Sequence, residues 1–121
     1  MTTVLIVEDE RPLNEAYQTI LQKHGYETQS AGNGEEALAL VGTKVPDVIL
    51  LDMKMPKMNG LEFLRQLEVL KPAPQPVVII FSNLDTQTDI DEAFRLGAKH
   101  YMLKSWAAPQ ELVRVVEAAL K

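Results

Sequence analysis

Glu8 and Asp9 follow the apolar run Val4-Leu5-Ile6-Val7, and Asp52 follows Val48-Ile49-Leu50-Leu51. Ser82 closes the run Val77 to Phe81, and Lys104 closes His100-Tyr101-Met102-Leu103. Runs this short and this apolar read as strands, so three carboxylates, a hydroxyl and an ammonium stand at strand ends. Singly, an acid at the start of a loop often caps a helix or sits in water. Gathered in one crevice, these acids would raise one another's pKa and would need positive charge among them. With no cysteine and no suitably placed histidine, an all-oxygen site favours a hard cation, Mg2+ or Mn2+, over zinc.

The elements that must position these residues alternate regularly. Pro12 suits the first helical position, and Leu13, Ala16, Tyr17, Ile20, Leu21 and His24 follow at helical spacing up to Gly25. Tyr26 to Ala31 is a more polar strand, suited to a sheet edge. Asn33-Gly34-Glu35-Glu36 carries a capping signature ahead of Ala37, Leu38, Leu40 and Val41. Asn59 and Glu62 repeat it ahead of Phe63, Leu64 and Leu67. Lys71 to Pro76 is a stiff, extended connector, and Val77 to Phe81 is the most apolar strand, expected at the sheet centre. A short helix around Ile90, Ala93 and Phe94 stops near Gly97. Pro109 opens a last helix whose inner face uses Leu112, Val113, Val116 and Leu120. Five strands and five helices in strict alternation predict a doubly wound α/β domain with a parallel sheet. Ligands of such sheets bind at the carboxyl ends of the strands, where strand order reverses. With order 2-1-3-4-5, strands one and three are neighbours and their three acids converge.

Composition narrows the chemistry. A chain of 121 residues fits one domain, and 0 cysteines exclude a disulfide framework, a thiolate metal site and a cysteine nucleophile. The net charge of −5, with dispersed basic residues, gives no nucleic-acid footprint. No apolar run approaches the ~18 residues of a membrane span, and Met1-Thr2-Thr3-Val4 does not resemble a signal peptide. A cytoplasmic location, without membrane or nucleic-acid partners, is the expectation. Phosphate-binding P-loop, dinucleotide and nucleophile-elbow motifs are absent. Met53, Met55 and Met58 form a Met-x-Met-x-x-Met pattern that a soft Cu(I) site could use, but they read as packing for a loop and helix start. His24 and His100 have no partner at metal-ligand spacing and suit surface roles.

The ordered set resembles the receiver domain of bacterial two-component signalling, the response-regulator family, over the whole chain. Its most specific stretch is Asp52-Met53-Lys54-Met55-Pro56-Lys57-Met58-Asn59-Gly60; Ser82, Gly97-Ala98, Tyr101 and Lys104 match later positions in order and spacing. The resemblance implies a flavodoxin-like (βα)5 fold and a phosphoacceptor switch, not an enzyme. It implies that Asp52 takes a phosphoryl group from a histidine kinase or histidine phosphotransfer protein. Glu8 and Asp9 would hold Mg2+ together with Asp52 and the backbone carbonyl of Lys54. Lys104 and Ser82 would contact phosphoryl oxygens. Ser82 and Tyr101 would carry the change to a surface of the fourth helix, fifth strand and fifth helix, for a downstream protein target. Residues 1–121 would form one receiver domain, with no effector domain in the chain. The sequence departs from the family pattern at Asn83, where a small residue is common, at Ser105, where proline is usual, and at Lys99-His100, where acids often stand. Two rival readings remain. A degenerate receiver could act as a phosphorylation-independent interaction module, although every acid and the lysine are present. An aspartyl-phosphate phosphatase would want a second acid at position 54, which is Lys54.

Overall fold

The computed structural model describes residues 2–55, 57–82, 87–104 and 109–120. Pro56, Asn83, Ser105 and Trp106, and with them the Lys104–Ser105 peptide, lie outside the described residues. The chain runs β1 (Thr3–Val7), α1 (Arg11–Lys23), β2 (Glu27–Ala31), α2 (Gly34–Thr43), β3 (Val48–Leu51), α3 (Gly60–Leu70), β4 (Val77–Ser82), α4 (Gln87–Arg95), β5 (Ala98–Leu103) and α5 (Pro109–Ala119). The strands form one parallel sheet in the order β2-β1-β3-β4-β5.

Every residue of β1 and β3 is buried because helices cover both faces, so these strands need no polar alternation. Leu5, Val7, Ile49, Leu51 and Ile80 pack towards α2, α3 and α4. The alternate residues Val4, Ile6, Val48, Leu50, Ile79 and Phe81 pack towards α1 and α5, where Tyr17 meets Phe81 edge to face at 4.8 Å. Polar β2 stands at the sheet edge, as expected. Strand β4 is interior, but the middle position belongs to β3.

Local signals hold at the helix ends. Asn33 and Asn59 accept hydrogen bonds from the Glu36 and Glu62 backbone N–H groups, each at 3.0 Å. Gly25 ends the α1 connection at φ +88°, a conformation that side chains with a Cβ disfavour. The 71–76 connector includes a cis Ala73–Pro74 peptide.

Three helical-face expectations need correction. On α1 the buried stripe is Asn14, Tyr17 and Leu21, and Ala16 is exposed. Phe94 on α4 is 41% exposed, and Leu120 lies past α5 at 40% exposed. Apolar spacing marks a face, but neighbouring elements decide how much of it is covered. Among the described residues, no helix is long and apolar enough to cross a membrane.

Candidate functional site

Backbone pairing beyond the strand ends sets the acids side by side. The Glu8 N–H donates to Ala31 O and the Asp52 N–H to Val7 O, both at 3.0 Å. Both acids therefore leave the sheet at one level. Carboxylate oxygens of Glu8, Asp9 and Asp52 all lie within 4.8 Å of one another. Opposite ligands of a Mg2+ ion are ~4.2 Å apart, twice its usual bond length to oxygen. The set thus fits a hard divalent cation after adjustments of a few tenths of an ångström, and its donors are all oxygen.

The three acids differ in exposure. Asp9 faces solvent, Asp52 is 6% exposed and Glu8 only 3%. Lys104, at the end of β5, reaches back across the sheet end. Its Nζ ion-pairs with Glu8 and donates to Asp52 Oδ2 at 3.1 Å. The other Asp52 oxygen accepts from the Lys54 N–H at 3.1 Å and from the Ser82 hydroxyl at 3.4 Å. An open cleft of about 190 Å3 lies above these groups, lined by Asp9, Glu10, Asp52, Lys54, Ser82 and Lys104.

Burial pushes the Glu8 carboxyl up to about 7 and the charge of Asp52 adds to the rise, against the Lys104 ammonium and the Glu10 N–H. Burial also works against the Lys104 ammonium. Its hydrogen bond to Glu8 and the charge of Asp52 outweigh that penalty, and hold the amine above its ordinary range. One cation is thus shared between two buried acids.

The structure gathers Glu8, Asp9, Asp52, Ser82 and Lys104, as the strand-end pattern anticipated. Lys54 lies at the cleft through its backbone N–H and an exposed side chain. Tyr101 is half-buried on β5, paired with Ile80 in register and packed against the α2–α4 side of the core. The methionines act as packing: Met53 and Met55 are buried, and Met58 packs on Gly34. A Cβ on Gly60 would stand 2.8 Å from Met53 Cα, so only glycine lets α3 start so close to the Asp52–Met53 backbone. His24 caps α1, its Nδ1 at 3.0 Å from Ile20 O, and His100 is half-buried on the edge strand β5.

The profile of the response regulator receiver domain matches residues 4–117. The chain belongs to the response-regulator receiver family. This receiver is 36% identical, over all of its 121 residues, to the sensory transduction protein RegX3 of Mycolicibacterium smegmatis, of which the match covers 51%. The chain spans about half the length of the curated relatives it matches. Among solved structures, chemotaxis protein CheY4 of Vibrio cholerae superposes with a TM-score of 0.91 at 27% identity, covering 98% of both chains. A CheY-like receiver domain protein of Methanospirillum hungatei gives 0.91 at 26% identity, covering 99% of this receiver and 94% of that chain.

Sequence reasoning missed two contributors to this receiver's acid turn. The Glu10 N–H donates to Glu8 Oε2 at 3.1 Å, and the buried Asn14 amide donates to the Glu8 carbonyl at 3.1 Å. Backbone donors carry no residue signature. Asn14 did leave one, since Asn14, Tyr17 and Leu21 share a stripe at spacings of three and four.

Proposed function

We propose that this receiver is a phosphoacceptor switch, with residues 1–121 acting as one unit. The observation that carries the reading is the Asp52 carboxylate at the base of an open cleft, flanked by Lys104, Ser82 and two further acids. Asp52 attacks the phosphorus of a phosphohistidine on a kinase or phosphotransfer protein. The P–N bond breaks, the imidazole leaves, and an acyl phosphate forms on the carboxylate. Mg2+, when bound, supplies the positive charge that lets an anionic nucleophile approach an anionic phosphoryl group. Glu8, Asp9, Asp52 and the Lys54 carbonyl are its proposed ligands.

The chain's own residues prepare this transfer. Lys104, already held against Asp52, is placed to pair with an incoming phosphoryl oxygen as a point charge. The Ser82 hydroxyl, now donating to Asp52, is placed to donate to another such oxygen. Both groups change partners on phosphorylation, and Ser82 and Lys104 border β4 and β5. That exchange is the differential interaction a two-state switch needs. Tyr101 on β5 is the proposed relay to the α4-β5-α5 surface and to a protein target.

The test is incubation with a small phosphoramidate or acyl phosphate donor and Mg2+, followed by intact mass. Wild type should gain one phosphate and Asp52→Asn none. No gain in wild type, or an equal gain in the variant, overturns the reading.

A further inference from the structure

Asn14 is 4% exposed, in a helix whose other buried residues are Tyr17 and Leu21. A buried primary amide is costly unless its donors and its acceptor are satisfied. Here they are, and every partner belongs to the acid-bearing end of the sheet or to α1 itself. The Nδ2 group faces three backbone carbonyls: Glu8 O at 3.1 Å, Ala31 O at 3.2 Å and Ile6 O at 3.4 Å. Three acceptors around one atom allow only the NH2 end to point there, so the orientation of the amide is forced. The Oδ1 end accepts from Gln18 Nε2 at 2.9 Å, one helical turn on, and the Asn14 N–H donates to Glu10 O at 2.9 Å. One side chain therefore ties the ends of β1 and β2 to the first turns of α1, directly behind the Glu8-Asp9 peptide.

Ala31 O accepts from both the Glu8 N–H and the Asn14 amide. The backbone of Glu8 is thus gripped on both sides, its N–H by β2 and its C=O by Asn14. That grip leaves the Glu8-Asp9 peptide plane little freedom, and the direction of the Asp9 side chain follows from that plane. Asp9 is exposed and, among the described residues, no hydrogen bond or ion pair holds its carboxylate, so its aim depends on its backbone.

We infer that Asn14 is a positioning residue for the metal ligands: it acts through the Glu8-Asp9 peptide and sets how strongly the acid cluster binds a divalent cation. The inference rests on the phosphoacceptor reading above. Partners that orient metal ligands without touching the metal change affinity by ~10–100-fold when removed. Removing Asn14 should therefore weaken metal binding while leaving the Asp52 nucleophile and the Lys104 and Ser82 contacts in place. Its signature is a split: weaker apparent Mg2+ affinity, with the rate of phosphorylation recovered at saturating Mg2+.

The experiment is calorimetric titration of the full chain with Mg2+ alone, for wild type, Asn14→Leu and Val41→Ala. Val41 is buried in the last turn of α2 and does not line the cleft, and its truncation controls for loss of stability as such. Asn14→Leu should raise the Mg2+ Kd ~10-fold or more, Val41→Ala less than about twofold, and saturating Mg2+ should restore the Asn14→Leu phosphorylation rate to within about twofold. Equal Kd shifts in the two variants, or a rate that saturating Mg2+ does not restore, overturn the inference. Should Asn14→Leu fail to fold, Gln18→Leu removes the bond that holds the Asn14 amide from outside. A Kd raised about threefold supports the inference, and an unchanged Kd overturns it. No Mg2+ binding by wild type would overturn the phosphoacceptor reading itself; binding by wild type with an unchanged Kd in the variants overturns only the role of Asn14.

Discussion

The two halves of the sheet are built differently. At β1 and β3 every strand residue is buried, and the Glu8 and Asp52 backbones are anchored by ladder bonds that continue past the strand ends. Towards β5 the burial thins. Only Ala98 of that strand is fully buried, and α4 buries only Ala93 among its described residues. The half that would hold the reacting groups has one packed arrangement, whereas α4 and β5, two of the three elements proposed to carry output, have little apolar contact to lose by moving. Regions with few buried contacts are those that open or shift at low cost. Lys104 joins the halves, rising from β5 and binding both Glu8 and Asp52. A charge exchanged in the packed half would thereby act directly on the loosely packed one.

The largest test of this contrast is a pair of truncations. Phe63 on α3 is fully buried and Phe94 on α4 is 41% exposed. Phe63→Ala should cost ~3–5 kcal/mol of folding stability and Phe94→Ala less than about 1 kcal/mol, by urea denaturation. Similar losses would erase the distinction between the halves.

A second test uses the charge tie. The Glu8 carboxyl is raised to about 7 from an ordinary 4.5, so the native state binds an extra proton between those values. The stability it contributes is complete below about 4.5 and is lost as pH rises through about 7. Without metal, the unfolding free energy of wild type relative to Glu8→Gln should fall by up to about 3 kcal/mol from pH 4 to pH 8. Saturating Mg2+, which favours the ionised carboxylate, should flatten that fall. A difference that is constant across the range would mean that burial does not raise the Glu8 carboxyl.

The smallest effect is expected on α4. Glu92 pairs with Arg95 at 2.9 Å and with Arg65 of α3 at 4.0 Å, all at partly exposed positions. Glu92→Gln should change stability by less than about 1 kcal/mol. A larger loss would mean that α4 is pinned by charge where apolar packing is thin.

Much of this is legible in the amino-acid sequence. Uninterrupted runs such as Val48 to Leu51 can satisfy their side chains only as strands covered on both faces, and Asn33, Asn59 and Pro109 mark helix starts through local hydrogen bonding and a fixed φ. Those signals act over a few residues, so the sequence by itself determined the elements, their alternation and the strand-end polar residues. Only the tertiary structure decided that Lys104 is divided between Glu8 and Asp52, 96 and 52 residues away in the chain. It also decided that Asn14, and not Ala16, joins Tyr17 and Leu21 on the buried face of α1. Helical spacing aligns Asn14 with Tyr17 and Leu21, but hydropathy alone would turn an amide outward. The three carbonyls that make its burial favourable belong to strand ends that meet only once the sheet has formed.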